Sequence, residues 1–211
     1  MLEDLLYRRT TPDGWGDWSG DMENNTFTVA DVDGDGREEL VVLTRPDIHA
    51  GFRGYVLDYD RDSGAVRIQF DGYPSFTFYG NGVLAEDDSH AQGVWSDDFW
   101  PHSLYRYLPE TDSYELVGHL SAWEKQVSDI NEGNLPPFPV EKDTSGAGIL
   151  YYIHPISSYE YLGNIESRID MAVDQSVYLE WLEPILEGSQ PLELEYLPLT
   201  EGNIQTIAPT A

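Results

Sequence analysis

The 211 residues carry 39 acidic and 11 basic side chains, a net charge of −28, with 40% hydrophobic residues and no cysteine. That charge repels the phosphate backbone of nucleic acids and anionic membrane surfaces. The missing thiols exclude disulfides, thiolate nucleophiles and zinc–thiolate sites. Six tryptophans, fourteen tyrosines and seven phenylalanines supply a core that a disordered acidic chain lacks. No apolar run approaches the ~18 residues of a membrane-spanning helix. Met1-Leu2-Glu3-Asp4 does not read as a signal peptide, so an exported chain would carry its targeting segment upstream. The charge favours cations, neutral glycans or a basic protein patch as partners.

In chain order, Leu2 to Arg9 is expected to form a short helix with Leu2, Leu5 and Leu6 on one side. Thr11 to Asn25 is turn-rich, with Trp15 and Trp18 as anchors. From Thr26 to about Trp123 the pattern is β. Thr26–Val29 and Leu40–Leu43 flank an acidic loop. Tyr55–Tyr59 and Val66–Phe70 flank Asp60–Gly64, Phe76–Tyr79 and Val83–Ala85 flank Gly80-Asn81-Gly82, and Leu104–Tyr107 and Tyr114–Val117 flank Pro109–Asp112. Ser128 to Gly148 is rich in Pro and Gly and reads as a loop. Ile149–Ile153 is one more strand. Tyr178, Trp181, Leu182, Ile185 and Leu186 keep helical spacing, with Pro184 expected to kink or split the helix and Gly188 to end it. Leu192–Tyr196 alternates as a strand.

The acidic loop is Asp31-Val32-Asp33-Gly34-Asp35-Gly36-Arg37-Glu38-Glu39. Asp31, Asp33 and Asp35 occupy loop positions 1, 3 and 5. Arg37 offers its backbone carbonyl at position 7, and Glu39 a carboxylate at position 9. Calcium takes six to eight oxygens, and alternate residues of a tight loop converge on one point. Gly36 permits the reversal. An EF-hand needs a bidentate Glu at position 12, where this chain has Val42, and the flanks are strands. Asp58-Tyr59-Asp60-Arg61-Asp62 repeats the acids but has Ser63 in place of the glycine, and reads as a solvated turn.

The Asp31–Glu39 loop with its strand flanks, residues 26 to 44, resembles the calcium loops of FG-GAP or VCBS-type repeats found in integrin alpha-chain propellers. Tyr79–Val83, Ser89–Gly93, Phe99–Tyr107 and Ala122–Lys125 add a wider similarity, over residues 26 to 125, to uncharacterised secreted or lipid-anchored proteins of gut Gram-positive bacteria. The resemblance implies an exported protein and supplies no activity.

His90, in a polar loop with Gln92, and Trp100 form a candidate ligand-binding depression, against which stands a plain structural role for His90. Trp95, Trp100 and Trp123 serve either as a sugar-stacking platform or as core. His49, His102, His119 and His154 lack metal-ligand spacing, and neither His-Glu-x-x-His nor Gly-x-Ser-x-Gly occurs. With 39 acids, some pair falls at a glycosidase separation by chance.

These readings converge on a mainly β fold: an antiparallel hairpin meander, propeller-blade-like or an open sheet, with short helices at the N-terminus and near the C-terminus. Residues 1–127 form the β domain, 128–148 a loop, and 149–211 a strand and helix packing on it. The expected function is a calcium-stabilised extracellular or cell-surface binding module for a neutral glycan or a protein, without catalysis. Asp31, Asp33, Asp35, Arg37 and Glu39 hold Ca2+. The alternative is a glycan-active enzyme or a carbohydrate-binding accessory domain.

Overall fold

The computed structural model describes residues 2, 5–6, 9, 11–13, 21–46, 51–60, 63–89, 99–131, 136–154 and 169–207. Among these the chain is mainly β, with eleven strands in two antiparallel sheets and no closed barrel. The strands are β1 (Thr26–Ala30), β2 (Glu39–Thr44), β3 (Arg53–Asp60), β4 (Ala65–Gly72), β5 (Phe76–Tyr79), β6 (Val83–Asp87), β7 (His102–Leu108), β8 (Ser113–Glu124), β9 (Ile149–His154), β10 (Val173–Asp174) and β11 (Leu197–Pro198). The helices are α1 (Lys125–Ile130), α2 (Gln175–Leu186) and α3 (Glu201–Ile207). Two compact units emerge, one of residues 1–82, 107–114 and 191–211, the other of 83–106 and 115–190.

In the first unit the sheet order is β11-β1-β2-β3-β4. β1 and β2 form a hairpin from Thr26↔Leu43 to Ala30↔Glu39, so the acidic loop is its connection. Phe27, Val42, Tyr55 and Leu57 point into one core, which Leu2, Leu5 and Leu199 complete. Leu2, Leu5 and Leu6 are helical, as their spacing predicts. Burying each such side chain contributes roughly 1.5–3 kcal/mol.

The β3–β4 hairpin contains the irregularity on which the site depends. Val56 pairs with Phe70 and Leu57 with Ile68, so Gln69 has no cross-strand mate. A bulge of this kind puts two successive side chains on the buried side, and both Gln69 and Phe70 are buried.

The C-terminal stretch corrects the expected strand over Leu192–Tyr196. Among the described residues its backbone pairing comprises a single bridge, Pro191 with Tyr79, a bond from Leu192 N–H to the Phe78 carbonyl at 2.8 Å, β11 against Thr26 and Phe27, and a bond from Leu199 N–H to the Asn25 carbonyl at 2.8 Å. Alternation alone does not make a strand where no neighbouring edge is in register.

In the second unit β10, β9, β8, β7 and β6 follow one another across the sheet. Fully buried Trp123 packs edge-on to Phe138 and donates its indole N–H to Ser128 Oγ at 2.6 Å. Trp123 is therefore core rather than platform. Ser128 lies in α1, so the segment expected to be loop from Ser128 onward is still helical through Ile130. α2 is capped by Asp174, whose carboxylate accepts from Ser176 N–H at 3.1 Å. It is not split at Pro184, because in the last turn the missing N–H forfeits only one helical bond. Its end is made by Glu187 and Gly188 together, both left-handed.

Gly82 ties the turn before β6 to the acidic loop. Its φ is +75°, and a Cβ there would lie 2.6 Å from the Asp33 carbonyl oxygen. Gly82→Ala is expected to destabilise the protein by about 1–3 kcal/mol. Gly146→Ala, with φ +72° and open space around it, should lose less. Equal losses in denaturant melts would show that the contact with Asp33 contributes nothing.

Candidate metal centre

The loop folds on its own carboxylates. Asp31 accepts the N–H groups of Gly34 and Gly36 at 2.8 and 3.1 Å, Asp33 that of Asp35 at 2.9 Å, and Asp35 that of Arg37 at 2.8 Å. Short acidic side chains capture backbone donors a few residues ahead in this way. Gly34 and Gly36, at φ +82° and +88°, make the reversals.

Three of the expected ligands converge. Carboxylate oxygens of Asp31, Asp33 and Glu39 lie within 4.8 Å of one another. Asp31 is exposed, Asp33 is 4% exposed and Glu39 is 0% exposed. Glu39, the first residue of β2, accepts Val32 N–H at 3.0 Å through Oε2, while Oε1 is buried with no hydrogen-bond partner. An orphaned buried carboxylate oxygen beside two others is a donor set suited to a hard cation.

Asp35 lies outside this group. Its Oδ2 takes the Arg37 Nε and Nη2 donors at 2.9 and 2.7 Å. The Arg37 guanidinium also reaches Asp58 at 3.4 Å. Asp58 is not the solvated turn residue expected. It is 3% exposed, and Arg67 compensates it from across the strand pair at 3.2 Å.

Residues that the spacing pattern does not reveal surround the loop. Gln69 Nε2 donates to Asp33 Oδ2 at 3.0 Å and to Asp112 Oδ1 at 2.7 Å. Asp112 also accepts the Tyr107 hydroxyl at 2.9 Å and pairs with Arg67. The Tyr114 hydroxyl donates to the Val32 carbonyl at 3.3 Å. The chain Asp33–Gln69–Asp112–Arg67–Asp58–Arg37–Asp35 therefore leaves the loop and returns to it. Nothing local marks Gln69, which alternates with Arg67 and Asp71 as an outward polar position of the strand would.

Burial, with the charges of Asp33, Asp35 and Asp31 adding to it, pushes the Glu39 carboxyl up to about 8. Burial and its acidic neighbours also raise Asp33. Burial acts the same way on Asp112, but hydrogen bonds from Gln69 and Tyr107 and the Arg67 charge outweigh it and hold that carboxyl low. At 4.8 Å and an effective dielectric near 20, two carboxylates repel by about 3–4 kcal/mol before screening and relaxation.

His90, Gln92, Trp95 and His49 lie outside the described residues. Trp100 is half-exposed and donates its indole N–H to the Asp88 carbonyl at 2.8 Å. His119 is buried against Ser103 Oγ at 3.1 Å.

The Glu39 carboxyl sets a pH dependence for the metal-free protein. Its folded value of about 8 exceeds the ordinary 4.5, so between those values the folded state keeps a proton that the unfolded state has released. Stability from this group is full below about pH 4.5 and lost as pH rises to about 8. In chelator, wild type should lose melting temperature from pH 5 to pH 8 more steeply than Glu39→Gln, which mimics the neutral acid. Identical slopes would contradict a buried, protonated Glu39. Searches of protein-family models, of curated proteins and of solved structures found no match to this chain.

Proposed function

We propose that the Asp31–Glu39 loop binds a calcium ion, and that the chain is a calcium-stabilised binding module acting outside the cell, with no catalysis of its own. The observation that carries this reading is the convergence of the Asp31, Asp33 and Glu39 carboxylates around the buried Glu39 Oε1. A divalent cation turns the repulsion among them into attraction and gives that oxygen a partner. An all-oxygen set of this charge suits calcium, which accepts irregular geometry and fills remaining positions with carbonyls and water. The resemblance of the loop to FG-GAP and VCBS-type repeats supports both the choice of ion and an extracellular setting. The partner in this reading is a neutral glycan or a protein, since the chain's charge repels polyanions.

A glycan-active enzyme requires two carboxylates free to act across one cleft. A depression of about 650 Å³ in the second unit is lined by Glu124 and Asp129. Asp129 is bound to the Lys125 ammonium one helical turn away, which occupies the group that a general base must keep free.

For a weak extracellular-type site with Kd ~0.1 mM and calcium at ~1–2 mM, mass action adds about 1.5 kcal/mol. For a chain of this length that is a rise of roughly 3–6 °C in Tm. Thermal melts in calcium and in chelator test it. Wild type should melt higher in calcium, and Asp33→Ala should lose most of the difference. Equal Tm values for wild type in the two buffers would remove the metal site.

A further inference from the structure

We infer that Gln69 is a positioning residue of this site, and that through it cation binding governs the docking of the Tyr107–Tyr114 hairpin end onto the first sheet. The inference rests on the cation reading above and adds a second consequence to it.

Gln69 occupies the bulge of β4, which turns it inward beside Phe70. Its single Nε2 group spans two carboxylates from different segments, Asp33 at 3.0 Å in the loop and Asp112 at 2.7 Å in the β7–β8 turn. The side chain is 4% exposed, and its Oε1 is buried without a hydrogen-bond partner. A buried amide held by its donor end alone depends on those two acceptors staying in place. Asp33 is held more firmly when its repulsion from Asp31 and Glu39 is relieved. Glu39 Oε1, fully buried and unpartnered, marks where that relief belongs.

The other end of the link is under strain. Asp112 sits at φ +50°, left-handed for a residue other than glycine. Its supports are Gln69, the Tyr107 hydroxyl and Arg67. Tyr114 closes the same end, with its ring against Phe70 at 5.8 Å and its hydroxyl on the Val32 carbonyl within the loop. Splaying of the loop therefore withdraws the acceptor for Tyr114 and, through Gln69, a support of Asp112 together. With the cation bound, Asp33 remains a fixed acceptor and both contacts hold. The Arg37–Asp58–Arg67 side of the ring is half-exposed at its guanidiniums and includes none of the converging carboxylates, so it carries less of the coupling.

Hydrogen exchange read by mass spectrometry, in calcium and in EGTA, tests the link on wild type, Gln69→Met and Asp112→Gly. Methionine fills the glutamine volume without a donor, and glycine accepts the left-handed backbone at position 112. In wild type, calcium should slow exchange of the 107–114 amides by about tenfold or more, as local opening is suppressed. Gln69→Met should bind calcium about 10–100-fold more weakly, the loss typical of an outer partner of a ligating carboxylate. At saturating calcium both variants should protect residues 31–39 while leaving 107–114 as fast as in EGTA. Calcium that binds wild type and protects the loop without changing 107–114 overturns the inference and leaves the metal site standing. Wild-type affinity and protection in Gln69→Met overturn it likewise. If calcium binds none of the proteins, the metal site fails and the inference with it.

Discussion

Buried like charge is the constraint around which the first unit is arranged. The β1–β2 connection places Glu39 at 0% exposure and Asp33 at 4%, with Asp31 close to both. Among the described residues no Lys or Arg forms an ion pair with any of the three. The loop compensates part of this by capturing its own N–H groups, which explains why nearly every amide from Val32 to Arg37 points at a carboxylate. What backbone amides leave over is the protonation of Glu39 or a bound cation, and the two are mutually exclusive at one oxygen.

The surrounding residues follow from that constraint. A chain with 39 acids has 11 basic side chains to distribute, and Arg37 and Arg67 are both placed beside this loop. They neutralise Asp35, Asp58 and Asp112, the acids outside the converging group, and so leave the converging group uncompensated. Among the described residues arginine pairs with the acids that act as structural struts and with none of the three that converge. Gln69, neutral and a donor, bridges the two sets without cancelling the charge of either.

Much of the first unit was legible in the sequence, because period-two alternation and turn residues act locally. The hairpins around Asp31–Glu38 and Asp60–Gly64 and the helical Leu2, Leu5 and Leu6 are of this kind. The convergence of Asp31, Asp33 and Glu39 was legible for the same reason, since a tight turn leaves alternate side chains nowhere else to point. Asp35 was not, because a guanidinium two residues on competes for it. Nor was Gln69: a bulge depends on a register shift between two strands, and neither strand carries it alone. Asp58 looked solvated until Arg37 and Arg67, distant in sequence, were seen to close over it. The Leu192–Tyr196 alternation misled because alternation does not supply an edge to pair with, and pairing falls instead on Pro191 and on Leu197–Pro198 at either side.

Terbium luminescence tests the metal centre most directly, since Tb3+ replaces calcium at oxygen sites and emits when a nearby aromatic ring transfers its excitation. Tyr114 reaches the Val32 carbonyl inside the loop, and Tyr107 lies 5.6 Å from it ring to ring. Excitation of tyrosine should produce terbium emission in wild type that excess calcium displaces, and Asp33→Ala should abolish most of it. Emission that calcium does not displace, or that survives Asp33→Ala unchanged, would place the bound ion elsewhere and contradict the account.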